Sequence, residues 1–135
     1  MRVPPVAALA LAAVALAACG GSSARDVDAT AITNVVNRWI EAVVQHHGPA
    51  ACAQLSSGLR ERIERHLLGE GVEGNCRTWA ARWVSPRHPA SHRDARITAV
   101  HVDAERATVS LAAGGTPDGA ATLVQENGSW RIDDY

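Results

Sequence analysis

Residues 120–134 read AATLVQENGSWRIDD, and this stretch decides the fold class of the chain. Asn127-Gly128 tolerates the positive φ angles of a two-residue hairpin turn, and Trp130 and Ile132 alternate with polar residues after it. This turn signal predicts two antiparallel strands on either side of it, Ala120 to Glu126 and Ser129 to Asp134. The chain is therefore expected to close with a β-hairpin.

Two further strands are predicted upstream of this hairpin. Ala95 to Val102 and residues 107–111 alternate in the same way, with a turn at 103–106 between them. The glycine-rich segment Gly114 to Gly119 is expected to be a loop. Along the first strand, the alternation assigns Ile97, Ala99 and the continuing His101 to one face, and Thr98, Val100 and Val102 to the other.

The residues before the strands follow the helical period instead. A long amphipathic helix is expected to start near Asp28 and to end at Gly48-Pro49, with His46 and His47 in its last turn. Its apolar stripe is formed by Ile32, Val35, Val36, Trp39, Ile40, Val43 and Val44. This helix is the largest predicted element of the domain.

Three shorter helices are predicted after it, over residues 49–55, 59–68 and 76–84. Ser56 or Ser57 is expected to cap the middle one, and its buried stripe is predicted as Leu59, Ile63 and Leu67. Its charged residues are predicted to form a solvated face, namely Arg60, Glu61, Arg62, Glu64 and Arg65. Helices followed by an antiparallel meander predict an α+β domain, with the helices on one face of about four strands.

The N-terminus carries a different signal. An apolar run follows Met1-Arg2 and ends in Leu16-Ala17-Ala18-Cys19-Gly20, which resembles the lipobox of bacterial lipoproteins. The resemblance implies a signal peptide over residues 1–18, lipidation of Cys19, and a flexible tether over 19–27 ahead of a domain over 28–135. It also implies a lipid anchor on the outer, extracytoplasmic face of the cell membrane.

The cysteine count then defines one pair. The chain has 3 cysteines, and lipidation of Cys19 leaves Cys52 and Cys76. A protein outside the cytoplasm can keep a disulfide, and two thiols allow only one intramolecular pairing. We therefore predict a Cys52–Cys76 disulfide that joins the second predicted helix to the start of the fourth.

Composition excludes several function classes. The chain contains no lysine, which excludes Schiff-base chemistry and a P-loop within it. Removal of the predicted signal peptide takes away Arg2 and leaves 12 scattered arginines and 14 acidic residues. The resulting formal charge of −2 does not favour binding to nucleic acid. No cysteine and histidine set has metal-site spacing, and no cofactor is predicted.

The order of elements resembles that of NTF2-like (SnoaL-like) domains. Their last hairpin is similar to residues 123–133, and their middle strands are similar to Ile97 to Val109. The resemblance implies a cystatin-like cone, in which a curved sheet wraps on helices around a cavity. It also implies a non-enzymatic domain that binds a small apolar ligand or a protein partner. The candidate ligand-binding residues are Trp39, Trp79, Trp83 and Trp130.

Two other functions stay open at this point. NTF2-like isomerases and dehydratases place a general base in the cavity, and the candidates here are His101 and His66. Many NTF2-like domains also form homodimers through the sheet, so the third alternative is a dimerisation module.

Overall fold

The computed structural model of the protein describes residues 24–83 and 94–135. Within these ranges lie four helices, α1 (Ala24–Val44), α2 (Gly48–Ala53), α3 (Ser57–Gly69) and α4 (Cys76–Trp83). They precede four strands, β1 (Arg96–Asp103), β2 (Arg106–Ala113), β3 (Thr116–Glu126) and β4 (Ser129–Asp134). The predicted α+β class is confirmed. The predicted signal peptide and Cys19 lie outside the described residues.

The long helix α1 begins earlier than expected, at Ala24 rather than near Asp28. Asp26 lies in the first turn, where the positive end of the helix dipole favours a carboxylate. The indole nitrogen of Trp130 donates a hydrogen bond of 3.0 Å to Asp28 Oδ1 and thereby fixes the start of α1 beside β4. The buried face of α1 consists of Ile32, Val35, Val36, Trp39, Ala42 and Val43, close to the predicted stripe.

The sequence predicted that His46 and His47 lie in the last turn of α1. This prediction is wrong, because both residues follow the end of the helix. The helix ends at Val44, and His46 adopts a left-handed φ of 57°. His47 instead caps α2, because its Nδ1 accepts a hydrogen bond of 3.2 Å from the Ala50 N–H. This cap satisfies a backbone donor that the start of α2 would otherwise leave unpaired.

The strands form one antiparallel sheet in the order β1-β2-β3-β4. The predicted turn at Asn127-Gly128 is confirmed, with φ angles of 52° and 74°. The predicted loop from Gly114 to Gly119 is wrong, because β3 already begins at Thr116. Gly114 and Gly115 have φ angles of 58° and 82°, so two residues suffice to turn the chain.

The faces predicted for β1 are also wrong in part, because the strand contains a bulge. The pairing with β2 shifts between Ile97 and Ala99, which leaves Thr98 as an extra residue. Ile97 therefore lies on the same face as Val100 and Val102, and all three pack against the core. Ala99 and His101 face solvent.

The core lies between α1 and the inner face of the sheet. Its largest fully enclosed side chains are Ile32, Val36, Val43, Leu55, Val109, Leu123 and Ile132. Leu55 also extends the sheet, because its segment forms a parallel bridge to Ile132 along the outer edge of β4. Ser56 N donates to Ile132 O at 2.8 Å, and Ile132 N donates to Gln54 O at 2.9 Å. The α2–α3 connection is thereby bound to β4.

In the part of the chain that the structure describes, every helix is too short or too polar to cross a membrane.

Candidate functional site

The predicted disulfide is present. Cys52 on α2 and Cys76, the first residue of α4, are bonded, with their Cα atoms 5.9 Å apart. Both residues are buried, with exposed fractions of 4% and 3%. The bond therefore fixes the start of α4 against α2, and it is shielded from solvent.

The start of α4 is also capped. Asn75 Oδ1 accepts hydrogen bonds from the N–H groups of Arg77 at 3.0 Å and Thr78 at 3.3 Å. In return, Thr78 Oγ1 accepts a bond of 2.9 Å from Asn75 N. This reciprocal arrangement satisfies the first donors of the helix, as a capping box does. The cap and the disulfide together give the first turn of α4 a fixed position.

A cleft of ≈ 400 Å³ lies beside the disulfide, between α2, α3 and α4. It is lined by Pro49, Cys52, Ala53, Arg60, Glu64, Asn75, Cys76 and Arg77. The volume falls within the range of small-molecule sites, roughly 300–1,000 Å³. Its charged lining was missed from the sequence, where Arg60 and Glu64 were predicted to belong to a solvated face.

A second, shallower groove of ≈ 220 Å³ follows the last turns of α1 and the start of α2. It is lined by Arg38, Glu41, Ala42, Gln45, His47, Ala50 and Gln54. Several of its polar groups already have partners, since Gln45 Nε2 donates to Glu41 Oε1 at 3.1 Å and His47 caps α2. This groove is therefore a weaker candidate than the cleft beside the disulfide.

The start of α3 forms a polar junction with the sheet. Ser56 is buried, its Oγ accepts a bond of 2.9 Å from Leu59 N, and it donates one of 2.6 Å to Asp133 Oδ1. Arg62 donates to the Asp133 carbonyl and lies 3.6 Å from its carboxylate. These contacts join α3 to β4, so the junction is structural.

Glu126 forms the exposed side of the same junction. Both the hydroxyl and the backbone N–H of Ser57 donate to its carboxylate, the latter at 3.1 Å. These hydrogen bonds, led by that of the hydroxyl, hold the pKa of the Glu126 carboxyl below its ordinary value. The contact joins the β3–β4 turn to α3.

Replacement of Ser56 by alanine is expected to lower the free energy of unfolding by about 1–2 kcal/mol, because it removes a helix cap and a bond to Asp133. The neighbouring Ser57→Ala is the matched control. Ser57→Ala removes the exposed hydrogen bond from the hydroxyl to Glu126 but keeps the bond from the backbone N–H, so we expect a smaller loss, below about 1 kcal/mol. Urea unfolding of both variants measures the difference, and equal losses would contradict the assignment of Ser56 as the cap.

The structure places the predicted tryptophans mainly in packing roles. Trp39 and Trp130 are each only 4% exposed and belong to the core. Trp79 is half-buried, and its ring lies 6.3 Å from that of Tyr135, whose ring also lies tilted 4.8 Å from that of Trp39. Burial raises the pKa of the Tyr135 phenol well above its ordinary value, and the Asp134 carboxylate adds to the rise. The side chain of Trp83 lies outside the described part.

The two candidate catalytic histidines lie on the surface, on different elements of the fold. His101 is exposed on β1, opposite Thr108. His66 is exposed on α3, and its Nε2 lies 3.3 Å from Glu70 Oε1, one turn further along. Neither position provides the enclosed setting in which a general base works on a bound substrate.

The described residues contain no group of three or more His, Cys, Asp or Glu side chains that could hold a metal ion.

The outer face of the sheet is the surface that a sheet-mediated dimer would use. Its central row is His101, Thr108 and Thr122, paired across β1, β2 and β3. This row is polar and lacks the large apolar side chains and the Tyr, Trp and Phe rings that enrich the centre of stable interfaces. The face therefore gives no specific support to the dimerisation alternative.

No protein-family model matches the chain, and no curated protein matches it.

Proposed function

We propose that the chain is a lipid-anchored lipoprotein of the bacterial cell envelope whose globular domain acts by binding. The observation that carries this proposal is the lipobox at Leu16 to Gly20, which ends just before α1. Residues 20–23 alone separate Cys19 from Ala24, so a lipid on Cys19 would lie within roughly 18 Å of the helix start. The domain would therefore sit close to the membrane surface.

The disulfide supports an extracytoplasmic location. Disulfides persist in oxidising compartments and are rare in the cytosol. The Cys52–Cys76 bond is buried and joins two short helices, so it has the character of a structural bond. A signal peptide would deliver the chain to a compartment where such a bond forms.

We assign the domain to the NTF2-like, cystatin-like architecture. The support is the order of elements, in which helices precede a four-stranded antiparallel meander and α1 packs on one face of the sheet. The Asn127-Gly128 hairpin and the buried Trp130 and Ile132 fit the closing hairpin of such domains.

Binding is favoured over catalysis by the surface positions of His66 and His101. A small apolar ligand would need open aromatic surface, but Trp39 and Trp130 are already packed in the core. The cleft between α2, α3 and α4 is polar and has the volume of a small-ligand site. We therefore place the binding role there.

The test of anchoring is expression of the full chain in a bacterial host, followed by separation of membrane and soluble envelope fractions. We expect the protein in the membrane fraction, with mass spectrometry showing an acylated N-terminal Cys19. Replacement of Cys19 by alanine removes the acylation site and should release the protein into the soluble fraction. A variant that stays on the membrane, or an N-terminus without lipid, would overturn the proposal.

A further inference from the structure

The cleft between α2, α3 and α4 contains three charged side chains from two helices. Arg60 and Glu64 lie one turn apart on α3, and Arg77 lies in the first turn of α4. Among the residues that the structure describes, no salt bridge within 4 Å joins any of these three side chains to another group, and Arg60 acts on the Glu126 carboxylate only from a longer distance. Two guanidinium groups and one carboxylate thus line a space of ≈ 400 Å³ and remain available to a ligand.

The backbone that carries these groups is held in place by bonds around the cleft. Arg77 directly follows Cys76, whose disulfide to Cys52 fixes it against α2. Its backbone N–H is held by Asn75 Oδ1, and Arg60 Nε donates to Ser56 O at 3.4 Å. A site whose walls are fixed before binding loses less conformational entropy when the ligand enters.

The charges favour one ligand chemistry. Each planar guanidinium group can bind a carboxylate with two hydrogen bonds, and the Glu64 carboxylate can accept from an ammonium group. Asn75 uses its side-chain oxygen for the helix cap, which leaves its amide N–H donors for a further oxygen of the ligand. The complement of this lining is a small molecule with two carboxylates and one ammonium group.

We propose that the cleft binds a small dicarboxylate that also carries an ammonium group, the chemistry of a free acidic amino acid. Arg60 and Arg77 bind the two carboxylates, and Glu64 binds the ammonium group. The site deepens the binding role proposed above and rests on it.

The test is calorimetric titration of the full chain, purified in detergent micelles with its disulfide intact. The two probes are L-glutamate and succinate, a dicarboxylate that lacks the ammonium group. We expect L-glutamate to bind with a millimolar or lower dissociation constant and succinate to bind more weakly. Arg77→Gln should weaken the binding of both probes by about tenfold, because it removes a charge-assisted contact.

Glu64→Gln separates the role of the ammonium group from that of the carboxylates. It should weaken the binding of L-glutamate severalfold and strengthen that of succinate, because a repelling carboxylate is removed. Arg65→Gln is the matched control. It makes the same change of charge as Arg77→Gln on an exposed residue of α3 outside the cleft, so affinity for both probes should stay unchanged.

Three results would overturn the assignment. One is the absence of binding heat for L-glutamate up to about 10 mM, which corresponds to a negligible affinity. Another is an equal loss of affinity in Arg65→Gln and Arg77→Gln, which would mean that the probes respond to the overall charge of the protein and not to the cleft. The third is a Glu64→Gln variant that changes both affinities in the same direction. The fractionation experiment tests the membrane anchor independently of this site. If the protein is anchored but does not bind L-glutamate, only the assignment of the cleft is refuted.

Discussion

Loss of the Cys52–Cys76 bond is expected to lower the free energy of unfolding by about 3.5 kcal/mol. The two cysteines are 24 residues apart, and the bond restricts the unfolded chain by closing the loop between them. A domain of this size has a total stability of roughly 5–15 kcal/mol, so the loss is a large share of it. The melting temperature should fall by roughly 10 °C or more.

The measurement is thermal unfolding followed by circular dichroism, in a Cys19→Ala background that leaves Cys52 and Cys76 as the remaining cysteines. A Cys52→Ala/Cys76→Ala variant removes both the bond and its sulfur atoms. Reduction of the unsubstituted pair breaks the bond and keeps the sulfur atoms, so the comparison separates the cross-link from packing. Reductant should have no effect on the double variant. A melting temperature that is insensitive to both changes would contradict a stabilising disulfide.

The sequence predicted well those elements that are set by local patterns. The apolar stripe of α1 and the Asn127-Gly128 turn were both expected, because periodicity and positive φ depend on neighbouring residues. The Cys52–Cys76 bond was also expected, since only one pair remained after Cys19 was assigned. For the helix and the turn a short range of sequence contains the physical cause, whereas the disulfide followed from the cysteine count of the chain.

The errors arose where pairing overrides the local signal. The residues after Gly115 contain proline and glycine, which favour a loop, but β2 provides backbone partners that extend β3 back to Thr116. The prediction for β1 assumed that side chains alternate between the two faces without a break at Thr98. The pairing with β2 instead contains a bulge there, which changes the face of the residues on one side of it. A single strand carries no information on its neighbour's register, so these features needed the structure.

The cleft could not be predicted for a related reason. Arg60 and Glu64 have the spacing of an ordinary solvated helix face, and Arg77 is 13 residues beyond Glu64 in the chain. Only the packing of α4 against α2 and α3 brings these charges to one space. The feature of the sequence that bears on the cleft is the cysteine pair. A bond from Cys52 to Cys76 requires the start of α4 to lie beside α2, where one wall of the cleft forms.

Replacement of Leu123 by alanine is expected to lower the free energy of unfolding by about 3 kcal/mol. Leu123 is fully buried on the inner face of β3, between Ala107 of β2 and Ile132 of β4. Both neighbours belong to the core, and Ile132 is also held by the backbone of residues 54–56. Their backbones are fixed by the ladder, so the core cannot collapse fully into the vacated volume.

The adjacent Val124→Ala is the matched control, because successive residues of a strand point to opposite faces. Val124 lies half-buried on the outer face, paired with Arg106 and Arg131, and its truncation should cost less than about 1 kcal/mol. Urea unfolding of the two variants therefore shows which face of the sheet is buried, by comparing their losses in the free energy of unfolding. Among the described elements α1 packs on the inner face, so equal losses would contradict the assignment of a single buried face. They would fit a sheet-mediated dimer, which sedimentation of the same samples would show as two copies.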